Sequence, residues 1–553
     1  MLPFAQLLRH ERLATAITGN PVRLAVLLSV LWLIPGLVGH DPWKTEEAQN
    51  IAVVLRMLRS GDWLVPMLAG EPFLTSPNLI YLSSALTATL FSPVLPLHDG
   101  TRIAAGFYMA LTLLFTAMAG RELLGGGKGY LAALLLLGCV GILVRGHEPL
   151  AEVAQLSGFA MGIYALALSA RRPAVAGIWL GLGLGIAISA TGLVEPLMFG
   201  ITMLVLPAVG ARWRTRGYLL TAAIGLAVML PLALAWPLLL HGRSPQLFAQ
   251  WFWVENVGRL QGIFLTGMFD SRYSSLEVLS WFAWPVWPFA MWALWAERRN
   301  VLAKPEIVFP TTMFVVFLAF VIALGEKSDL LGLPLLLPLS LLAAASFSTV
   351  RRGAGNAFYW FAIMAFSFSA FVVWFYWMAV DVGVPARLWK HLMKLQPAYQ
   401  SDGRAFAITV AVLITAGWFF LLFNVKRCAE RPVIIWAAGI TLMWALVGSV
   451  LIRYIDTGRT YRGVFGQLVK ALPARHGCVA GQSLGDPQRA LLYYFGHLVT
   501  VRHDRPGKNP DCEFLITQDT PSRPVRVGEN WVLLWEGNRP GDRKERYRLY
   551  QKS

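Results

Sequence analysis

Long apolar runs separated by short polar connections make up most of the chain between residues 24 and 452. About 20 apolar residues form a helix that crosses the hydrocarbon core of a membrane. Arg and Lys cluster in alternate connections, which predicts that these connections and the N-terminus lie in the cytoplasm. The pattern therefore predicts an all-α polytopic membrane protein with about 13 transmembrane helices, at 24–38, 102–119, 129–145, 152–169, 173–190, 192–208, 217–240, 278–295, 306–324, 330–346, 356–380, 405–424 and 432–452.

The apolar run at 77–97 differs from the others because Pro77, Pro93 and Pro96 interrupt it. Arg121 and Lys128 follow the next span and should be cytoplasmic, so that span must begin on the outer face. The run at 77–97 then enters and leaves on the same face. We predict an interfacial or re-entrant helix there, within a large first periplasmic loop at residues 39–101.

The last part of the chain, residues 457–553, is polar and contains several Gly and Pro turns. Short β-type runs alternate with amphipathic helical patterns, which predicts a small C-terminal α/β domain on the periplasmic side. The predicted division is 1–456 for the transmembrane domain and 457–553 for this domain. Cys478 and Cys512 both fall outside the membrane, where disulfides persist, and we predict that they form a bridge.

Composition restricts the functional class. The chain is 56% hydrophobic and only 14% charged, against about 25% charged in soluble domains. Its net charge of +17 comes from short clusters between apolar runs and not from a basic arm, so nucleic acid is not an expected partner. No Walker, Rossmann or zinc motif occurs, which argues against nucleotide-dependent chemistry. The N-terminal apolar run has no clear cleavage site, so we expect a retained first helix.

The predicted functional site is centred on the stretch at 39–77, because acidic, basic and tryptophan residues concentrate there. Other predicted outer loops add further charged groups, and ionisable groups at a membrane gather where water or a polar substrate enters. A carboxylate in such a place can deprotonate or orient an acceptor, and Arg or Lys can hold a phosphate. The outer charged residues are Glu46, Glu47, His147, Glu148, Glu152, Glu255, Arg259, Glu326, Lys327 and Asp329.

Each of these groups also has a structural interpretation. Glu46 and Glu47 are compatible with a solvated helix start, and His147 with a cap or a polar turn. Glu255 and Arg259 are four residues apart, the spacing of an ordinary helical ion pair. The segment at 325–329 reads equally as a simple loop. Trp43 and Trp63 have the character of interface anchors.

Several short motifs make the chain resemble the bacterial GT-C glycosyltransferases, in the group of the protein mannosyltransferases and the lipid A aminoarabinose transferase. GDWLVP at 61–66 is intact, and the acidic pair of the first loop is Glu46–Glu47 instead of Asp-Glu. The EKPP-like motif reads Thr75-Ser76-Pro77-Asn78 and the S-K-G turn reads Ala190-Thr191-Gly192, so both lysines are missing. The acid of the second loop matches Glu152. In the late motif, GEKSDLLGLP, Leu331 occupies the position of a Tyr.

The resemblance covers nearly the whole chain and implies the function. It implies transfer of a sugar from a polyprenyl (undecaprenyl) phosphate donor to a lipid, glycan or protein acceptor on the periplasmic face, within a membrane-lipid environment. No cofactor is required, although the paired acids are compatible with a divalent metal; no metal site is predicted. The predicted catalytic residues are Glu46, Glu47 and Glu152. The predicted substrate-binding residues are His147, Arg259, Glu326, Lys327, Trp63 and Tyr81.

Two other functions fit the same sequence. The missing lysines favour a non-catalytic lipid-binding protein built on the same scaffold. A transporter is disfavoured because charges within the spans are few and no inverted repeat of interrupted helices is visible. Convergence of Glu46, Glu152 and Lys327 on one outer cavity would distinguish the transferase from the lipid-binding protein.

Overall fold

The computed structural model describes residues 19–553 except Thr45, 262–278, Lys327, Ser348, Asp402, 504–511, Pro521 and Arg543. Helices dominate as far as residue 471. They are α1 Pro21–Leu33, α2 Glu46–Ser60, α3 Leu79–Phe91, α4 Leu97–Leu124, α5 Gly129–Leu137, α6 Ile142–Arg145, α7 Ala151–Leu168, α8 Pro173–Thr191, α9 Pro196–Val209, α10 Arg216–Arg243, α11 Pro245–Ala249, α12 Val286–Ala296, α13 Pro305–Leu324, α14 Leu336–Ser346, α15 Arg352–Trp377, α16 Ala386–Leu395, α17 Ala405–Asn424, α18 Arg431–Leu446, α19 Ile452–Arg459 and α20 Arg462–Ala471.

Shorter 3-10 and π-helical turns connect several of these helices. The 3-10 turns are Ala211–Trp213, Val301–Ala303 and Leu330–Leu335, and the π turns are Gln250–Gly258, Met378–Val382 and Val447–Leu451. The remaining elements are one helix and seven strands: α21 Asp486–Gly496, β1 Met67–Leu68, β2 Glu71–Pro72, β3 Val479–Gln482, β4 Val501–Arg502, β5 Phe514–Asp519, β6 Trp531–Gly537 and β7 Arg546–Lys552.

The predicted membrane spans agree closely with the helices. Among the described residues, eight helical segments are long and apolar enough to cross a membrane: Leu97–Leu124, Ala151–Leu168, Pro173–Thr191, Arg216–Arg243, Pro305–Leu324, Arg352–Val382, Ala405–Asn424 and Arg431–Ala471. Four shorter apolar helices coincide with further predicted spans: Pro21–Leu33, Pro196–Val209, Val286–Ala296 and Leu330–Ser346. The run predicted to be interfacial is the short helix α3, whereas α4 begins five residues earlier than expected, at Leu97 instead of 102.

The predicted span at 129–145 is not one continuous helix. It ends at Leu137, and only the short α6 follows. The break is stabilised by a neighbouring segment, because the backbone N–H groups of Val140 and Gly141 donate to the carbonyls of Trp284 and Phe282 at 3.1 and 3.0 Å. Irregular backbone at this depth is tolerated where such partners replace the helical bonds.

Helix α7 forms the centre of the bundle and is almost completely surrounded by other helices, mainly α4 and α8. Gly158 allows the closest approach to α8, because a Cβ there would lie 2.3 Å from the carbonyl oxygen of Gly183. Small residues at such crossings let membrane helices pack backbone to backbone. By contrast, α10 and α17 expose most of their surface, as expected for helices that face lipid.

Residues 479–552 form the predicted α/β unit. Its five strands run in the order β4-β3-β5-β7-β6; β3 pairs in parallel with β4 and β5, and β7 pairs antiparallel with β5 and β6. Cys478 and Cys512 form a disulfide, as predicted. Helix α21 of this unit packs against α2 of the first loop, so the C-terminal part covers the loop.

Candidate active site

A polar cavity of about 330 Å³ lies where the first loop meets the ends of α7, α8 and the 250–258 turn. Four residues predicted as site residues line it: Glu46, Glu152, Arg259 and Glu326. Its other lining residues are Gln49, Asn50, Phe73, Thr75, Ser76, Leu150, Ala151, Thr191, Glu195, Glu255, Ser328, Leu331 and Asp486. The cavity therefore collects residues from seven separate parts of the sequence.

Glu46 stands at the entrance of this cavity. It is the first residue of α2, where the positive end of the helix dipole favours a carboxylate. Its side chain is 51% exposed, and its Oε2 lies 3.4 Å from Nη1 of Arg145. Glu152 lies in the first turn of α7 and is partly buried. One carboxylate is thus open to an incoming acceptor and the other is held deeper in the cavity wall.

Arg259 is the cation that lines the cavity among the described residues. Its Nε and Nη2 donate to the carboxylate of Glu326 at 2.8 and 2.9 Å, and Nη2 also donates to Glu195 at 2.8 Å. These three hydrogen bonds fix the plane of the guanidinium group, and none of them involves Nη1. Burial raises the pKa of Glu195, although Arg259 opposes that shift. Burial also raises the pKa of Glu255, one helical turn from Arg259, and the charge of Arg259 opposes that shift.

Glu47 points away from the cavity, into a buried cluster around Arg102. Nε of Arg102 donates to Glu47 at 2.5 Å and Nη1 donates to Asp99 at 2.7 Å. The same guanidinium also donates to the backbone carbonyls of His40 and Asp41 at 2.8 and 3.2 Å. Burial would raise the pKa of Glu47, but Arg102 outweighs it and holds that pKa below its usual value. The pair anchors the start of the loop and of α2, and so sets the position of Glu46.

A second arginine, Arg145, supports the entrance from the other side. It donates to Glu148 at 2.9 Å and to the carboxylate of Asp329 at 3.1 and 3.3 Å, in addition to its contact with Glu46. Burial, followed by the nearby charge of Glu47, raises the pKa of Glu148 to about 7. Arg145 thereby joins the first loop to the 325–331 segment on the opposite wall.

Three predicted substrate-binding residues lie outside the lining. His147 is buried between Trp32 and Trp444, and its ring nitrogens bond to the carbonyls of Leu143 and Trp32 at 2.9 and 3.0 Å. Trp63 is half exposed, and its carbonyl accepts a bond from Asn78. Tyr81 is buried behind Thr75 and Ser76. Lys327 lies outside the described residues.

The altered motif positions converge on the cavity. Ser76 and Thr191, which occupy the places of the two family lysines, both line it, as does Leu331 from the late motif. The turn that carries Thr191 is rigid: Gly192 has φ +89°, and Asn256 accepts from the N–H of Leu193 at 2.8 Å. The GDWLVP motif has a supporting role. Asp62 accepts from the N–H of Leu64, and the carbonyl of Leu64 accepts from the indole N–H of Trp236 at 2.9 Å.

Sequence reasoning missed Arg102, Arg145, Glu195 and Asp486. The two arginines lie at the ends of the predicted spans 102–119 and 129–145, where a basic residue is expected simply to mark the end of a span. An arginine adjoining an apolar run is itself a signal, because such a charge needs a buried partner. Asp486 comes from the C-terminal unit, where it pairs with Arg489 and Arg502, and these arginines also bind Glu71 of the first loop.

Among the described residues, no group of three or more His, Cys, Asp or Glu side chains is arranged to hold a metal ion. The lining is nonetheless strongly acidic. Among the described lining residues, four carboxylates and one guanidinium remain when Glu46 and Asp486, which pair with Arg145 and Arg502 outside the lining, are left out. A cavity of this charge favours a ligand that carries a cationic group in addition to any phosphate.

Comparison with known proteins gives a consistent result. No family model matches the chain. The chain is 26% identical over 446 residues to the undecaprenyl phosphate-alpha-4-amino-4-deoxy-L-arabinose arabinosyl transferase of Pseudomonas paraeruginosa. The matched region covers 77% of this chain and 74% of the relative. The like-named protein of Sodalis glossinidius is 30% identical over 246 residues, 43% of this chain and 42% of the relative.

Solved structures agree with this comparison. The crystal structure of ArnT from Cupriavidus metallidurans bound to undecaprenyl phosphate superposes with a TM-score of 0.66 at 17% identity, over 96% of this chain and 97% of that one. The apo structure of the same protein gives a TM-score of 0.62. The GT-C fold predicted from the sequence motifs, with its small C-terminal sheet domain, is confirmed.

Proposed function

We propose that this chain, which has the GT-C fold, is a membrane glycosyltransferase that moves a sugar from a polyprenyl phosphate carrier to an acceptor within the cavity lined by Glu46, Glu152 and Arg259. The glycosyltransferase class predicted from the sequence agrees with the names of the curated relatives. The observation that carries the assignment to this cavity is geometric. Positions matched to the family motifs in four distant segments, represented by Glu46, Ser76, Glu152 and Thr191, line one cavity.

The membrane orientation follows from the distribution of basic residues. The connections on the side away from the cavity carry Arg and Lys pairs and triplets, as at Arg171–Arg172 and Arg298–Arg299. Such clusters remain on the cytoplasmic side. We therefore place the cavity, the first loop and the C-terminal unit on the periplasmic side of a bacterial inner membrane.

The reaction needs an activated acceptor and a stabilised leaving group. An acceptor hydroxyl attacks the anomeric carbon, the bond from that carbon to the phosphate oxygen breaks, and the lipid phosphate leaves with the bonding electrons. Glu46 is the acceptor-orienting residue and takes the hydroxyl proton, because it is the exposed carboxylate at the entrance. General-base catalysis of this kind contributes about 100- to 10,000-fold in rate.

Arg259 is suited to hold the leaving phosphate. Glu195 and Glu326 fix its guanidinium at the cavity wall through Nε and Nη2, which leaves Nη1 outside those bonds. An arginine fixed in this way donates to phosphate oxygens at little entropic cost. Ser76 and Thr191 add hydroxyl groups where the family motifs have lysines, so phosphate binding relies more on Arg259 here.

The acidity of the cavity also bears on the sugar. We assign to the donor a sugar that carries a protonated amine, because Glu152, Glu195 and Glu255 line the cavity and Arg259 is the one cation among its described lining residues. An ammonium group among carboxylates gains charge-assisted hydrogen bonds that a hydroxyl cannot match. The curated relatives are named for a 4-amino-4-deoxy sugar, in agreement with this assignment.

The direct test is transfer by the protein in lipid nanodiscs. Matched undecaprenyl phosphate donors, one with an amino sugar and one with the corresponding hydroxyl sugar, are incubated with an envelope-lipid and glycan extract. We expect transfer from the amino donor, a 100-fold or greater loss in Glu46→Gln, and a comparable loss in Glu152→Gln. Glu529→Gln, an exposed carboxylate of the C-terminal unit, is the control and should keep full activity.

Two outcomes would overturn the proposal. Full activity in both Glu46→Gln and Glu152→Gln would exclude these two carboxylates as catalytic groups. Tight binding of donor with no transfer from any of the donors would favour the non-catalytic lipid-binding protein, the function that the missing lysines support. Equal transfer from amino and hydroxyl donors would remove the amino-sugar assignment alone.

A further inference from the structure

A second cavity, of about 300 Å³, lies between the end of α15, the start of α17 and the π turn at Val447–Leu451. It shares no lining residue with the candidate active site. Its lining residues are Trp377, Asp381, Val382, Tyr399, Ser401, Gly403, Arg404, Ala407, Ile408, Ser449, Val450 and Arg453. The cavity is thus a separate feature of the molecule.

The described lining of this cavity combines charged and apolar residues, and its carboxylate, Asp381, accepts from the hydroxyl of Tyr399 at 2.6 Å. Arg404, which directly precedes α17, and Arg453, in the first turn of α19, are its two cations. Both already interact with neighbouring groups of the chain, so an added anion would join an existing network. The rest of the wall is largely hydrocarbon and aromatic. Two arginines and one carboxylate in a largely apolar lining match a molecule with an anionic head and an apolar tail.

Helix α16 adds a second, independent observation. Its four basic residues, Arg387, Lys390, His391 and Lys394, are exposed and lie within about a third of the helix circumference. The opposite side is apolar: Leu392 is buried beside Ala379 and Val380. A short helix with a basic side and an apolar side is typical of elements that lie in the headgroup layer of a membrane.

Helix α16 leaves two large apolar side chains partly exposed. Trp389, on the apolar side, is 40% exposed, and Leu395, which borders the basic side, is 48% exposed. The end of the helix is held from the other side, because a Cβ at Gly541 would lie 2.0 Å from the carbonyl oxygen of Leu395. The carbonyl of Leu392 also accepts from the hydroxyl of Tyr454 at 2.9 Å, close to Arg453.

We propose that this region is a binding site for an anionic phospholipid. The lipid phosphate lies between Arg404 and Arg453, its acyl chain follows the apolar wall formed by Ala407 and Ile408 of α17, and the basic side of α16 faces the neighbouring headgroups. Basic groups near an anionic membrane surface strengthen such binding electrostatically. The site does not depend on the sugar-transfer reaction, because no residue of the candidate active site takes part.

The test compares lipid retention by two matched double variants. Native mass spectrometry counts phosphatidylglycerol and phosphatidylcholine molecules retained by wild type, by Arg404→Gln/Arg453→Gln and by the control Arg475→Gln/Arg526→Gln. The control removes the same charge from exposed positions of the C-terminal part. We expect wild type and control to retain phosphatidylglycerol in preference to phosphatidylcholine, and the cavity variant to bind phosphatidylglycerol at least 10-fold more weakly.

Inorganic phosphate forms a separate arm of this experiment. If millimolar phosphate displaces the bound phosphatidylglycerol completely, the site is an anion site and the lipid assignment fails. Equal retention by the cavity variant and the control would overturn the proposal. If the cavity variant does not fold, wild type is labelled with a photoactivatable phosphatidylglycerol. Label in residues 377–408 or 447–453 supports the site, and label confined to other segments overturns it.

Discussion

The buried cluster around Arg102 leads to a sharp stability prediction. Arg102 has no exposed surface and donates to two carboxylates and two backbone carbonyls. Arg102→Met keeps most of the apolar stem but leaves Glu47 and Asp99 buried without their cation. Removing one partner from a buried ion pair costs about 3–5 kcal/mol, mostly because the remaining charge is stranded. We expect a loss of that size in the free energy of unfolding.

The same helix offers a matched control. Arg121, also on α4, has a side chain that is 60% exposed and lies 4.0 Å from Glu122. Exposed pairs contribute about 0–1 kcal/mol, so Arg121→Met should change stability by no more than that. Both variants are measured by unfolding in mixed detergent and SDS micelles, with tryptophan fluorescence as the signal.

A double-mutant cycle separates the ion pair from general damage to the core. Glu47→Gln removes the charge of the partner while keeping its shape, so the double variant should be more stable than the sum of the single losses predicts. Residues in direct contact usually couple by about 0.5–3 kcal/mol. The reasoning is refuted if Arg102→Met costs no more than Arg121→Met, or if the two losses at the cluster simply add.

Three further predictions concern the loops. Gly192→Ala should destabilise the protein by about 1–2 kcal/mol and slow transfer, because φ is +89° and the new Cβ would lie 2.7 Å from Oδ1 of Asn256. The control is Gly200→Ala, in an open helical position, which should be neutral or stabilising. Thermal unfolding measures both effects on stability. Burial lowers the pKa of His147 from 6.5 to about 4, so the neutral ring contributes stability that is present above pH 6.5 and is lost as the pH drops toward 4. Between about pH 7 and pH 4, the melting temperature should therefore fall less in His147→Gln than in wild type. Replacing Cys478 and Cys512 by Ala removes a bridge across 34 residues and should cost the C-terminal unit about 3–4 kcal/mol, seen as earlier proteolysis of that unit on heating, with no such effect from Ser at exposed Cys428.

The helices were predictable because the membrane imposes one strong pattern. An apolar run of sufficient length has few alternatives to a helix in lipid, so spans such as α8 and α13 agree with the prediction to within a few residues. The break after Leu137 was not predictable from its own sequence. Its stabilising partners, the carbonyls of Phe282 and Trp284, are about 140 residues away in the chain.

The candidate site was partly predictable for a related reason. Residue type and loop position were enough to select Glu46, Glu152 and Arg259, all of which line the cavity. They were not enough to separate Glu46 from its neighbour Glu47. A helix turns by about 100° per residue, so adjacent side chains point in different directions, and only the position of Arg102 decides which carboxylate is buried.

The contacts at the start of the first loop have a consequence for the order in which the protein is made. Asp41 bonds to Arg462 and Trp43 donates to Asp456, partners more than 400 residues later in the chain. A ribosome adds about 5–20 residues each second, so these partners follow the loop by tens of seconds. The loop that carries Glu46 therefore spends that interval without these contacts, and the cavity is completed only when Asp486 of the C-terminal unit has joined its lining. A chain that ends after α18 carries the membrane helices but not the finished cavity.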